Sequence, residues 1–305
     1  MIQRPGKVVI WGEYAVLAGA TAGVMAVDAH TTVNWHPLDG AVNITPLGLP
    51  SPGVHFPSLA FTGQPCADML EHISRHFGYE TYPEGISLSI DSSAFFQGQN
   101  KLGLGSSAAV YLSLLDLMQA WQGHEVTLAE AIELHHDWQG KIGSGIDVAA
   151  SWHGGLIQFR DGHVTPTHWP ADLHFRIIWS GAAANTPSYL NQFKHWRDSH
   201  DTSTLDALCS ASEAVAQNIS LQNLQAYIEA LHAFDNAAKL GIYNETHLAI
   251  EQAAQHSRVT YKPCGAGGGD IGLALADDPE RLSALDDLMP PGCGTLALQM
   301  CPPVG

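Results

Sequence analysis

Lys101-Leu-Gly-Leu-Gly-Ser-Ser-Ala-Ala109 reads as a tight loop that opens directly into a helix. Two glycines and two hydroxyls precede a run of strong helix formers, Ala108 to Met118. A helix start leaves about four backbone N–H groups without intrahelical partners and carries roughly half a positive charge. Gly103 and Gly105 let the backbone approach a ligand closely, and Ser106 or Ser107 can cap the helix or turn a hydroxyl toward a metal. Such a terminus is a phosphate cradle. The plainer reading is an ordinary N-cap, and this stretch alone leaves both open.

Two more glycine-rich turns flank it. Gln139-Gly-Lys-Ile-Gly-Ser-Gly-Ile-Asp147 precedes an apolar Val-Ala-Ala, and Tyr261-Lys-Pro-Cys-Gly-Ala-Gly-Gly-Gly-Asp270 holds four glycines within five positions. Turn formation alone seldom needs so many. Flexible linkers would have polar neighbours, whereas strands or helices begin at once here. Asp147 stands where a helix-capping Asp is common. It equally suits a carboxylate that accepts a proton from an attacking oxygen, kept ionised by a nearby lysine such as Lys7 in Pro5-Gly6-Lys7. Phosphoryl transfer needs in-line positioning, Mg²⁺ across the phosphates, cationic charge and sometimes a base.

Charge and composition narrow the classes. The net charge of −17 argues against a nucleic-acid or anionic-membrane surface. A phosphorylated small molecule remains open, because surface charges fade beyond about 8 Å, whereas a lysine ~4 Å from a phosphate is worth roughly 4 kcal/mol. Only thirteen residues are Lys or Arg, so the placement of Lys7, Lys101, Lys141 and Lys262 in or beside glycine-rich turns is informative. Apolar residues make up 45% and charged residues 14%, as in a well-buried globular chain, and 305 residues favour two lobes. No run reaches membrane-span length, and the opening residues lack a signal-peptide core. Five scattered cysteines read as reduced thiols of a cytoplasmic protein, without a metal site.

Hydrophobic periodicity predicts strands at 8–11, 24–27, 31–35, 86–90, 156–160, 175–179 and 271–276. It predicts helices at 67–77, 108–121, 127–138, 185–199, 202–216, 221–240 and 244–256, with a short helix or turn at 148–152. Thr127 and Glu130 form a capping box. Gly162, Pro166 and Pro170 mark the expected boundary between an N-terminal lobe, 1–165, and a C-terminal lobe, 166–305.

Three stretches together carry a resemblance. Pro5-Gly-Lys-Val-Val-Ile-Trp-Gly-Glu-Tyr14, Gly103-Leu-Gly-Ser-Ser-Ala-Ala109 and Gly265-Ala-Gly-Gly-Gly-Asp270 are similar, in order, to the three motifs of the GHMP small-molecule kinases. Within that superfamily the loops around 101–110, 139–150 and 262–270 most resemble phosphomevalonate kinases. The resemblance implies a two-lobe α+β fold with a left-handed βαβ unit in the N-terminal lobe and a helix-rich C-terminal lobe that closes over the active site. It places ATP on Lys101, Gly103, Leu104, Gly105, Ser106, Ser107 and Ala108, with Ser107 as the Mg²⁺ ligand. Asp147 becomes the base and Lys7 its partner. The acceptor, a small acidic molecule, falls to Lys141, Ser144, Gly145, Thr186, Gly265, Ala266, Gly267 and Gly268.

Departures keep other readings open. Mevalonate kinases carry a Mg²⁺-binding Glu where His136 aligns, and many phosphomevalonate kinases have several arginines where only Arg160 stands. The reaction is expected to be transfer from Mg-ATP to phosphomevalonate or a related acidic metabolite. Mevalonate kinase or another GHMP kinase, an ATP-dependent decarboxylase of the superfamily and a non-catalytic nucleotide-binding homologue are the alternatives. The sequence leaves a homodimer open. Seventeen histidines without metal-ligand spacing read as surface or satisfied side chains, and Cys264 as a small buried residue.

Overall fold

The computed structural model describes residues 1–48, 52–140, 143–184, 186–199 and 201–304. In chain order the strands and helices are β1 (Ile2–Trp11), β2 (Ala22–Pro37), β3 (Val42–Leu47), β4 (Val54–Phe56), α1 (Asp68–His76), β5 (Ile86–Asp91), β6 (Phe96–Gln97), β7 (Asn100–Lys101), α2 (Ser106–Gln122), α3 (Leu128–Trp138), α4 (Ile146–His153), β8 (Leu156–Arg160), β9 (His163–Thr167) and β10 (His174–Trp179). There follow α5 (Thr186–Ser199), α6 (Ser203–Gln217), α7 (Leu221–Ala238), α8 (Glu245–His256), β11 (Thr260–Pro263), β12 (Ile271–Ala276), α9 (Pro279–Asp286) and β13 (Gly294–Leu296). This is the expected α+β fold.

Among the described residues one sheet has the order β4-β3-β5-β2-β8-β9, with β1 also paired to β2. β3 and β5 run parallel with α1 in the connection, which gives the βαβ unit. A second, antiparallel sheet has the order β11-β12-β10-β13. Residues 299–303 return to the first sheet, where Cys301 N–H donates to Ala26 O at 2.9 Å.

Burial explains which patterns were readable. β5 alternates buried and half-buried residues, so its period of two is plain in the sequence. β1 is covered on both faces. Val8 and Ile10 pack in the core that includes Leu208 of α6 and Leu231 of α7, while Val9 packs with Ile146 and Ala149 of α4. Helix α2 is buried on nearly every side, with Ala108, Tyr111, Leu112, Leu115 and Met118 among its sequestered residues. Arg4 of β1 clamps this layer: its Nε and Nη2 donate to both Asp116 oxygens at 2.6 and 2.7 Å, and its Nη1 donates to Trp152 O at 3.1 Å.

Some expectations are corrected. The two strands expected at 24–27 and 31–35 are one, because β2 runs through Asp28-Ala-His30 as a bulge: Pro5 of β1 pairs with His30 and the next residue, Gly6, with Val27, which leaves Asp28 and Ala29 as extra residues of β2. Gly162 lies in an Asp161-Gly162 turn, with φ of 47° and 79°, that joins β8 to β9 as a two-residue hairpin. Pro166 is accommodated because β9 is an edge strand. The strand β11 and the helix α9 were not anticipated.

The two sheets are joined by a fully buried ion pair. Lys262 of β11 places its Nζ on the Glu13 carboxylate, just beyond β1, and within 3.4 Å of Val9 O. The Tyr227 hydroxyl of α7 donates to the other Glu13 oxygen at 2.7 Å. Burial works against the Lys262 ammonium, but Cys264 and Glu13 outweigh it and hold its pKa above the ordinary lysine value. Removing one partner strands the other charge in the core. Lys262→Met should therefore lower stability by about 3–5 kcal/mol, whereas Lys262→Met with Glu13→Leu should recover much of that loss. Urea unfolding of the three proteins checks both outcomes.

Candidate active site

Helix α2 begins without a side-chain cap. Its N-cap is Gly105 in the left-handed conformation, φ 80°, and the first turn is left free to face a ligand. Gly103 also has positive φ, 76°, and a Cβ there would collide with the Asp270 side chain. Lys7 reaches this loop from β1. Its backbone N–H donates to Leu104 O at 2.8 Å and its Nζ donates to Gly103 O at 3.3 Å. Lys101 enters from the β6–β7 hairpin.

These groups line a cavity of 920 Å³ together with Ser106, Ser107, Ser144, Gly145, Asp147, Gly265, Ala266 and Asp270. The three glycine-rich turns therefore converge on one space. Asp147 sits in the first turn of α4, where Gly145 is the N-cap, and its Oδ1 accepts from Val148 N–H at 3.0 Å. Lys7 lines the same cavity, but its ammonium is hydrogen-bonded to the Gly103 carbonyl rather than ion-paired with Asp147.

The third loop divides into two functions. Gly265 and Ala266 line the cavity, and Tyr14 fixes them by donating its hydroxyl to Ala266 O at 2.6 Å. Burial pushes the Tyr14 hydroxyl pKa up, so it stays a donor. Gly267 and Gly268 do not line the cavity. Added Cβ atoms there would run into Ile242 and Tyr189, so these glycines allow close packing on the C-terminal lobe. Gly268 N–H donates to Ile242 O at 2.9 Å, and Asn244 Nδ2 donates to Gly268 O at 2.9 Å.

Leu104 and Ala108 are also placed differently from the expectation: both side chains are buried in cores and line no part of the cavity. Thr186 begins α5, two residues after Ala184 on the cavity wall. Lys141 lies outside the described residues. Sequence reading missed Asp270, Glu13, Tyr14, His135 and Gln139 as residues of this region, whereas His136, aligned with the Mg²⁺-binding Glu of mevalonate kinases, does line the cavity. Asp270 ends the third motif, and what marks it as a special position is its backbone, with a positive φ of 57°, which local sequence does not reveal.

Asp270 knits the site. Its Oδ1 accepts from Ala184 N–H at 2.9 Å, its own N–H donates to Ala182 O at 2.7 Å, and its carbonyl accepts from Ser180 N–H at 2.9 Å. Burial raises its carboxyl pKa, opposed by the Ala184 hydrogen bond and by Lys7 and Lys101. Lys101 shifts the other way: protein walls disfavour its ammonium and lower its pKa, Asp270 and Asp147 oppose this, and Lys7 adds to it.

An ATP polyphosphate fits this cradle, which combines a free helix start, two lysines and glycines that a Cβ would obstruct. A magnesium ion takes hard oxygen donors. The carboxylates of Asp147 and Asp270 on the wall are such donors. Ser107, the expected ligand, fits less well because Oγ is already held by Gln139 Nε2 at 3.1 Å and His135 Nε2 at 3.2 Å. His135 is fully buried, which lowers its pKa and leaves it neutral.

Residues 65–155 match the GHMP kinases N-terminal domain. Phosphomevalonate kinase of Streptomyces sp. (strain CL190) is 28% identical, over 90% of this chain and 88% of its own length. Mevalonate kinase of Thermococcus gammatolerans is 25% identical, over 93% of this chain and 90% of its own. The Streptococcus pneumoniae phosphomevalonate kinase, solved in complex with phosphomevalonate and AMPPNP, shares the fold with a TM-score of 0.75 and 19% identity, covering 98% of this chain and 99% of that one.

The lowered Lys101 pKa sets a pH dependence. Its ammonium favours phosphate, so affinity for an ATP analogue should fall as pH rises through a value below the ordinary lysine range. Lys101→Met should bind about tenfold or more weakly near neutrality, a charged hydrogen bond being worth ≈ 1.5–3 kcal/mol, and should lack that alkaline limb. Calorimetric titrations across pH check both.

Proposed function

We propose that this chain, which carries a GHMP kinase N-terminal domain, transfers the terminal phosphoryl group of ATP to a small acidic alcohol or phosphate of the phosphomevalonate type. The supporting observation is that Asp147, Lys7, Lys101 and the free start of α2 line one cavity beneath Gly265 and Ala266. In this reading residues 1–165 hold the nucleotide and residues 166–305 close over it.

The first turn of α2 and the two lysines bind the phosphates and favour the charge that spreads over the transferred group. Asp147 accepts the acceptor's proton as the new O–P bond forms, and the electron pair of the breaking bond leaves on the β-phosphate of the released ADP. An acceptor whose reacting oxygen is already ionised needs Asp147 only for orientation. Mg²⁺ would neutralise phosphate charge, held by the phosphates and by the Asp270 carboxylate. Gly265 and Ala266, fixed by Tyr14, shield the transferred group from water. Ser144 and Gly145, beside Asp147, take the acceptor.

Both phosphomevalonate and mevalonate belong in the acceptor panel, because kinases named for each are among the relatives. Purified protein with Mg-ATP should form ADP and a phosphorylated product with at least one of them, without release of carbon dioxide. Asp147→Asn should cut transfer to a hydroxyl acceptor by about 10²–10⁴-fold while leaving ATP-analogue affinity within a few-fold. Equal turnover by wild type and variant would remove Asp147 from the role of base.

A further inference from the structure

We infer that Ser107 serves the nucleotide as a hydrogen-bond donor to a phosphate oxygen and not as a metal ligand, with His135 and Gln139 as the residues that orient it. The inference rests on the nucleotide-binding reading above and concerns the role of one hydroxyl within it.

A serine oxygen has one proton and two lone pairs. Gln139 donates from Nε2 to Ser107 Oγ at 3.1 Å and occupies one pair. His135 Nε2 stands 3.2 Å from the same oxygen. The direction of that second bond follows from the far side of the ring. His135 is fully buried, and its Nδ1 has no hydrogen-bond partner among the described residues. The ring is enclosed by Tyr111 and Trp138, with centroids 5.3 and 5.9 Å away. A proton on Nδ1 would be an orphaned buried donor, which folded proteins avoid more strictly than an under-used acceptor. The proton therefore resides on Nε2 and is donated to Ser107. Both lone pairs are then filled, and the Ser107 proton is the part left to face the cavity. A metal ion needs a lone pair; a phosphate oxygen needs a proton.

Binding of a non-hydrolysable ATP analogue, measured with Mg²⁺ and again with EDTA, separates the two roles. Ser107→Ala should weaken both titrations by the same factor, about tenfold or more, since a hydrogen bond to a charged group is lost in each. A loss confined to the Mg²⁺ titration overturns the inference. His135→Phe frees one lone pair and should shift preference toward the Mg²⁺ complex, whereas His135→Gln, which keeps an N–H donor, should restore the wild-type ratio. An unchanged ratio in His135→Phe overturns the positioning role. Nitrogen NMR of the wild-type protein tests the premise without any variant: the His135 proton on Nε2 supports it and a proton on Nδ1 overturns it. If the wild type binds nucleotide under neither condition, the kinase reading falls as well; if it binds and Ser107→Ala loses only the Mg²⁺ complex, this inference alone falls.

Discussion

The contact between the Lys262 ammonium and the Glu13 carboxylate fixes how the two halves of the site meet. Glu13 follows the strand that carries Lys7, and Lys262 precedes the loop that carries Gly265 and Ala266. Both groups are fully buried, so neither has water as an alternative partner. Among the described residues the ammonium is satisfied by Glu13, the Val9 carbonyl and the Cys264 sulfur, and the second Glu13 oxygen by Tyr227. A sliding apolar interface would tolerate several registers. A buried charge with one set of partners tolerates one, and that register brings Tyr14 to the Ala266 carbonyl.

An acidic chain can still hold a polyphosphate because screening separates the two length scales. Most of the −17 lies on solvated surface, where its field decays within about 8 Å. Inside the cavity Lys7, Lys101 and the start of α2 act at contact distance through protein walls that screen poorly. Asp270 opposes them, but its carboxylate is engaged by the Ala184 amide and spends part of its field on loop geometry. The Lys101 pKa is lowered first by burial of its ammonium, with Lys7 adding to the effect and Asp270 and Asp147 opposing it.

Much of this was written in local sequence, and the remainder was not. The capping box at Thr127 and Glu130 is present, and α3 starts where it indicated. The Asp278-Pro279 start of α9 is an equally local signal, an N-cap followed by proline at the first turn, and was readable. β2 could not be read as one strand, because its own bulge at Asp28-Ala29 interrupts the apolar run while pairing with β1 continues on both sides. Lys7, Asp147 and the phosphate loops stand out because glycines and charges cluster along the chain. His135 does not, since its significance comes from Ser107, twenty-eight positions away in the sequence. The third loop looked uniform in sequence, yet Ile242 and Tyr189 give its second half a packing role.

That division of the third loop explains how the cavity wall is held by the fold itself. Gly267 to Gly269 are anchored by Ile242, Asn244 and His247, and the 241–243 amides are in turn gathered on the Asp235 carboxylate. Gly265 and Ala266 hang from that anchor and from Tyr14. The second loop is held separately, by Lys7 on the Leu104 and Gly103 carbonyls. These two turns are thus ordered by separate sets of contacts. For the proposed phosphoryl transfer, the entropy of arranging these donors would be met during folding, so that binding energy could go to the charge that develops as the group moves.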